Sequence, residues 1–178
     1  GLDDNITIRL ADGLCGIQKD DVDTVTICGM GGKLMKDIIE AGKDRLSNGM
    51  QLILSPRSEV REFRAYLLEN GIDILSEMMI KDEGKYYFIM DCVYHDMAER
   101  AVYNNNTHLQ GKNAAEYTEE ELRYGRYLID NHSEVLKEYL DKEYGSFISI
   151  QKSLKEQNVK KPSAAIEKRL QELEADIE

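Results

Sequence analysis

Apolar and polar residues alternate along Asn5-Ile6-Thr7-Ile8-Arg9-Leu10 and stop at Ala11-Asp12-Gly13, which predicts a short strand ending in a turn. Val22-Asp23-Thr24-Val25-Thr26-Ile27-Cys28 reads as a second, β-branched strand running into Gly29-Met30-Gly31-Gly32. Behind that turn Leu34, Met35, Ile38 and Ile39 recur at helical spacing, and Gly42 is placed to end the helix. Gln51-Leu52-Ile53-Leu54 is a brief strand broken at Ser55-Pro56. Ser58 is the expected N-cap of a helix whose Val60, Phe63 and Leu67 form one stripe, ending at Asn70-Gly71.

The pattern then changes. Residues 72–80 and 86–94 read as two strands joined by the turn Lys81-Asp82-Glu83-Gly84-Lys85, tightly enough to be antiparallel neighbours. Repeated strand–helix units that end in a hairpin predict an α/β fold, a mostly parallel sheet with an antiparallel hairpin at its edge. Residues 98–117 are polar, centred on Asn104-Asn105-Asn106, and are expected to connect the first 97 residues to a helical region. Thr118 and Glu121 fit a capping box that opens it. A long amphipathic helix should follow, with Val135, Leu136, Tyr139, Leu140, Phe147, Ile148 and Leu154 on one face. Residues 158–162 break it, and Ile166, Leu170, Leu173 and Ile177 continue as a heptad seam. The expected outcome is a C-terminal helical coiled-coil hairpin over 118–178, which could equally pack on itself or self-associate.

Composition narrows the class. Among 178 residues, 42% are hydrophobic and 32% charged, ordinary values that exclude collagen-like or wholly disordered chains. No apolar run approaches the roughly 18 residues a membrane span requires, so no membrane partner is expected. Cys15, Cys28 and Cys92 lack CxxC spacing and read as reduced thiols of a cytoplasmic protein. His95, His108 and His132 have no ligand spacing, and no metal site is expected. The chain opens Gly1-Leu2-Asp3-Asp4 and enters a strand pattern almost at once, which suggests part of a longer protein.

Three elements could carry chemistry, all expected where the strands end. Gly29, Gly31 and Gly32 permit positive φ and close backbone approach, and the next helix aims its first N–H groups at the same spot. Ligands of open α/β sheets collect at that edge, although a βα turn can need glycine on steric grounds alone. Asp12-Gly13 offers a carboxylate that can accept from an exocyclic amine, or is simply a turn. Pro56 and Arg57 would set a rigid residue and a cation on the rim. Tyr86 could stack on a base, or pack in the core.

Together these residues resemble the bacterial tRNA (adenine-22-N1)-methyltransferase family. The resemblance lies in the Ile8–Leu14 series, in Asp23-Thr24-Val25-Thr26-Ile27-Cys28-Gly29-Met30-Gly31-Gly32, in Leu52-Ile53-Leu54-Ser55-Pro56, in the hairpin around Glu83-Gly84-Lys85-Tyr86-Tyr87, and in Tyr124-Gly125-Arg126-Tyr127-Leu128. It implies a class I (Rossmann-like) methyltransferase that uses S-adenosyl-L-methionine, with a C-terminal coiled-coil domain. It further implies that Asp12, Gly13 and Leu14 lie beside the cofactor adenine with Cys28 and Gly29, and that Gly29, Met30, Gly31 and Gly32 flank the transferred methyl and the target base. Where the family has Gln-Pro-Asn this chain has Ser55-Pro56-Arg57, which alters a substrate contact. The acidic, glycine-rich first motif and the first two strands are expected to precede Gly1, so this chain alone is not expected to hold the cofactor productively.

Charge runs against a nucleic-acid partner. Residues 1–115 hold 13 basic and 19 acidic side chains and residues 116–178 hold 10 and 15, so the net charge of −11 is spread over both halves. Any tRNA contact is therefore confined to local clusters: Arg57, Arg61 and Arg64 beyond the cleft, and Lys152, Lys155, Lys160 and Lys161 at the hairpin tip. DNA is not an expected partner. A same-fold methyltransferase acting on a small molecule, and a non-catalytic fragment whose helices mediate association, stay open on the residues alone.

Overall fold

The computed structural model of the chain describes residues 5–96, 114–156, 168, 171 and 172. Four strands, β1 (Thr24–Cys28), β2 (Gln51–Ser55), β3 (Ile72–Asp82) and β4 (Lys85–Tyr94), form one sheet in the order β1-β2-β4-β3. β1 pairs parallel to β2, and β4 is antiparallel to both β2 and β3, so three strands share one direction and the hairpin occupies one edge. The mixed sheet expected from the sequence is present. The hairpin strands are longer than expected because the turn contracts to Glu83-Gly84, both at positive φ (46° and 75°), the backbone that matches the twist of paired strands.

Helices α1 (Gly32–Ala41) and α2 (Val60–Glu69) connect the parallel strands. α1 buries Met35 and Ile39, and α2 buries Phe63, Leu67 and Leu68, onto Leu52, Leu54, Met90 and Cys92 of the sheet. Gly42 ends α1 for a different reason than left-handed backbone. Its φ is −110°, and a Cβ there would stand 2.4 Å from Cβ of Leu14, so close approach excludes a side chain. Ser58 does not cap α2. Glu59 precedes the helix in the left-handed region (φ 49°), and the Ser58 hydroxyl donates to the Glu59 carboxylate at 2.6 Å.

The first expected strand is absent. Residues 5–10 adopt no ladder because no described strand lies beside them, and Ile8 (91%) and Leu10 (105%) are exposed. The turn at Asp12-Gly13 therefore does not end a strand at the sheet's carboxyl edge. It opens a short 3-10 turn (Gly13–Gly16) whose Leu14 is buried.

The helical region begins as expected. Thr118 and Glu121 form the capping box of α3 (Glu119–Tyr124), followed by α4 (Arg126–Asp130) and α5 (Glu134–Glu156). These helices are built into the fold. Leu122 belongs to the main core, while Tyr124, Leu128, Leu136 and Leu140 cover Met79 and Phe88 of the hairpin in a second cluster. A buried ion pair fastens the junction. Arg64 Nε donates to Glu77 Oε1 at 2.9 Å, Nη2 stands 2.8 Å from the same oxygen as an ion-pair contact, both side chains are essentially inaccessible, and Arg64 Nη1 donates to the Leu122 carbonyl. Burial pushes the Glu77 carboxyl above its ordinary range and the guanidinium pulls it part of the way back. Residues 98–113 of the expected connection, the break at 158–162 and the seam residues Ile166, Leu170, Leu173 and Ile177 lie outside the described residues. Among the described residues no helix is long and apolar enough to cross a membrane, and no group of three His, Cys, Asp or Glu is placed to hold a metal ion.

Candidate active site

The glycine turn sits where β1 ends, and the backbone of the next strand's exit holds it. Gly29 N–H donates to the Ser55 carbonyl (3.2 Å), Arg57 N–H to the Met30 carbonyl (2.8 Å), and Gly32 N–H to the Ser58 carbonyl (2.9 Å). Three hydrogen bonds thus cross-link Gly29–Gly32 to Ser55–Ser58 and fix the two loops as one rigid edge. The Gly32 amide is committed to that link, so the α1 N-terminus presents fewer free N–H groups than its sequence suggests.

The glycines are not equivalent. A Cβ on Gly32 would lie 2.9 Å from the Ser58 and Glu59 carbonyl oxygens and from Cβ of Phe63, and one on Gly31 would lie 2.8 Å from Ser58 Oγ. Those two positions are small because α2 packs against the turn. Gly29 has φ +80°, and a Cβ there would meet nothing within 4 Å. Its backbone faces open space at the carboxyl end of the sheet, with Cys28 and Met30 exposed on either side. Steric packing therefore explains Gly31 and Gly32, whereas Gly29 is at positive φ and open.

Beside the turn, β3 and β4 extend past the sheet. Leu54 is level with Met90, so Tyr86 stands three residues, about 10 Å, beyond the end of β2 at Ser55. A cavity of about 320 Å³ lies between this wall and the Pro56–Arg61 segment, closed from the far side by Tyr124 of α3 and Tyr139 of α5. Pro56 is buried and Arg57 exposed. The Arg57 guanidinium lies 5.7 Å from the centre of the Tyr87 ring. Tyr86 meets Tyr139 edge to face at 5.4 Å, with Lys81 and Lys142 over its ring, so it is a packed wall of the cavity. Nothing local in the sequence signals the contributions of Tyr124 and Tyr139, which arrive from 38 and 53 residues downstream of Tyr86.

Other candidates lie elsewhere. Gly13 packs on Ile38 and Leu14 on Gly42, so Asp12, Gly13 and Leu14 are held along α1, roughly 9–15 Å of helix rise beyond Gly32. Most of α1 separates them from the turn. The Asp12 carboxylate is exposed beside the 3-10 turn and makes no capping hydrogen bond there. Two of the three expected phosphate-binding arginines are engaged. Arg64 is wholly buried with Glu77, and Arg61 donates three hydrogen bonds to Glu119 at 2.7, 3.0 and 2.8 Å. Lys152 is exposed on α5, and Lys160 and Lys161 lie outside the described residues.

Known proteins share this architecture. A Streptococcus agalactiae protein of the NADB-Rossmann superfamily superposes with a TM-score of 0.76 at 28% identity, covering 100% of this chain and 70% of that one. A Streptococcus pneumoniae protein solved in complex with S-adenosyl-L-methionine gives 0.74 at 26%, covering 100% and 71%. The Bacillus subtilis m1A22 tRNA methyltransferase gives 0.67 at 26%, covering 99% and 69%. In sequence, the tRNA (adenine(22)-N(1))-methyltransferase of Bacillus subtilis (strain 168) is 38% identical over 90 residues, a match that spans 51% of this chain and 38% of that relative's length. The family model of the tRNA (adenine(22)-N(1))-methyltransferases matches residues 1–175, and the chain belongs to that family.

Proposed function

We propose that the protein transfers a methyl group from S-adenosyl-L-methionine to N1 of adenine 22 in tRNA, at the cleft between the glycine turn and the hairpin wall. The observation that carries this reading is the open, positive-φ Gly29 on a turn locked to Ser55–Ser58. Membership of the family and a similar protein solved with the same cofactor support it.

The residues present fit part of the cofactor. Gly29 leaves unobstructed space for a group at the end of β1, and Asp12 offers an exposed carboxylate to an exocyclic amine, though most of α1 lies between them. Leu14, with Gly13, fixes the position of Asp12, and Cys28 borders the open turn. When bound, S-adenosyl-L-methionine supplies a methyl group already activated on sulfonium. Adenine N1 is a neutral nucleophile, so the chain has alignment and exclusion of water to provide rather than a strong base. Gly29, Met30, Gly31 and Gly32 do this by holding a fixed edge against the base, and Met30 (38% exposed) gives that edge an apolar flank. Cys28 and Gly29 would border the bound cofactor, which would supply the methyl to the N1 lone pair and leave as a neutral thioether. N1 lies on the Watson–Crick edge, so the target nucleotide must leave its pair to reach the turn.

The C-terminal helices are a second contact surface in this reading, with Lys160 and Lys161 reaching phosphates and the helical hairpin available for self-association. The full-length gene product, incubated with cofactor and unmodified tRNA, should generate 1-methyladenosine in a nucleoside digest. A protein that binds the cofactor and yields none contradicts the proposal.

A further inference from the structure

The acidic chain makes a cation without an acidic neighbour stand out. Seven arginines lie among the described residues. Arg9, Arg45, Arg61, Arg64, Arg123 and Arg126 each have a carboxylate within 4 Å. Arg57 alone among them has none. Its side-chain N–H groups have no protein acceptor among the described residues, while its own backbone amide is bonded to Met30 in the candidate active site.

The backbone of Arg57 is fixed and an aromatic ring stands near its side chain. The Arg57 main chain belongs to the cross-link between the two loops, and its guanidinium is held over the Tyr87 ring at 5.7 Å. A guanidinium at cation–π distance from a ring keeps its N–H donors available for a planar or tetrahedral oxyanion. Arg57 borders the 320 Å³ cavity together with Tyr86, Phe88, Tyr124 and Tyr139, and with Glu59, Arg61 and Arg123, a lining in which aromatic rings suit a base and the rim cation suits a phosphate.

We infer that Arg57 is the phosphate-binding residue of the substrate cleft, gripping the RNA backbone next to the nucleotide held at the glycine turn. The inference rests on the reading that an RNA nucleotide enters this cleft. It assigns to one residue the phosphate contact that Arg61 and Arg64, paired with carboxylates, are not free to make. The other anion that could reach the cleft is the carboxylate of the cofactor's methionine moiety, and cofactor affinity separates the two.

The test uses the full-length gene product as wild type, Arg57→Gln and Arg57→Lys, with tRNA binding measured by anisotropy across a salt series and cofactor binding by calorimetry. Arg57→Gln should weaken tRNA binding about tenfold, and should lower the slope of log affinity against log salt by about 0.7–1, the value of one phosphate contact. Arg57→Lys should keep the slope and recover part of the affinity, and cofactor affinity should not change. Unchanged tRNA affinity and slope in Arg57→Gln would overturn the inference, and so would a loss confined to cofactor binding. Arg57-dependent tRNA binding without 1-methyladenosine formation contradicts the methyl-transfer reading and supports this one. Absence of tRNA binding by wild type contradicts both.

Discussion

Replacing Arg64 by Met tests how the helical region is fastened to the sheet. Met preserves the apolar stem but removes the cation facing Glu77, whose side chain is 1% exposed. Deprived of Arg64, the buried carboxyl takes up a proton. At pH 7, about 2.5 units above the ordinary carboxyl value of 4.5, protonation costs about 3 kcal/mol at 1.36 kcal/mol per unit. The Leu122 carbonyl also loses its donor, for about 1 kcal/mol more. The expected loss is about 4 kcal/mol at pH 7, within the range for breaking a buried pair, or roughly 10 °C in Tm for a chain of this size. The variant's folded carboxyl lies above its unfolded value, so its stability falls as pH rises between the two. At pH 5 protonation costs under about 1 kcal/mol, and the deficit should shrink to about 2 kcal/mol. Replacing both partners, Arg64→Met with Glu77→Leu, should recover most of the loss. Urea unfolding of wild type, the single variant and the double variant at both pH values measures this. A single-variant loss below about 1 kcal/mol, a deficit independent of pH, or a double variant no better than the single would refute the reasoning.

The glycine turn separates two effects. Gly32→Ala should destabilise the fold by about 1–3 kcal/mol, because its Cβ meets backbone oxygens at 2.9 Å. Gly29→Ala meets no atom and should cost only about 1–2 kcal/mol of backbone strain, yet should lower methylation far more than Gly32→Ala does at equal folded fraction. Gly125→Ala sets a Cβ 2.6 Å from Glu77 Oε2 at φ +95°, and should lower Tm as Arg64→Met does. Thr118→Ala removes the capping box of α3 and should cost about 1 kcal/mol in urea unfolding. A thiol reagent should modify Cys15 and Cys28 in the native protein and reach Cys92 only on denaturation, because burial pushes that thiol well above its ordinary value.

The parallel strand pair, the hairpin, the capping box and the long amphipathic helix were legible because each is coded by neighbours a few residues apart. The first strand failed for a physical reason. Alternation along Asn5–Leu10 describes side-chain facing, but a strand also needs a partner for its backbone, and none is described beside it. The arginines before and within α2 failed similarly. Arg57, Arg61 and Arg64 look alike as a run of charges, and only tertiary structure brings Glu119 to Arg61 and Glu77 to Arg64 while giving Arg57 no carboxylate among the described residues. The glycine turn was found from sequence, but its division of labour was not. Whether a missing Cβ makes room for α2 or leaves open space depends on atoms from 26 to 31 residues away in the chain.

The central claim is tested most directly by transfer of labelled methyl from S-adenosyl-L-methionine to two otherwise identical tRNAs, one with adenine at position 22 and one with guanine there, using the full-length gene product. Label should enter the first tRNA as 1-methyladenosine and be absent from the second. Equal labelling of both, or no labelling of either by a protein that binds the cofactor, would contradict the account.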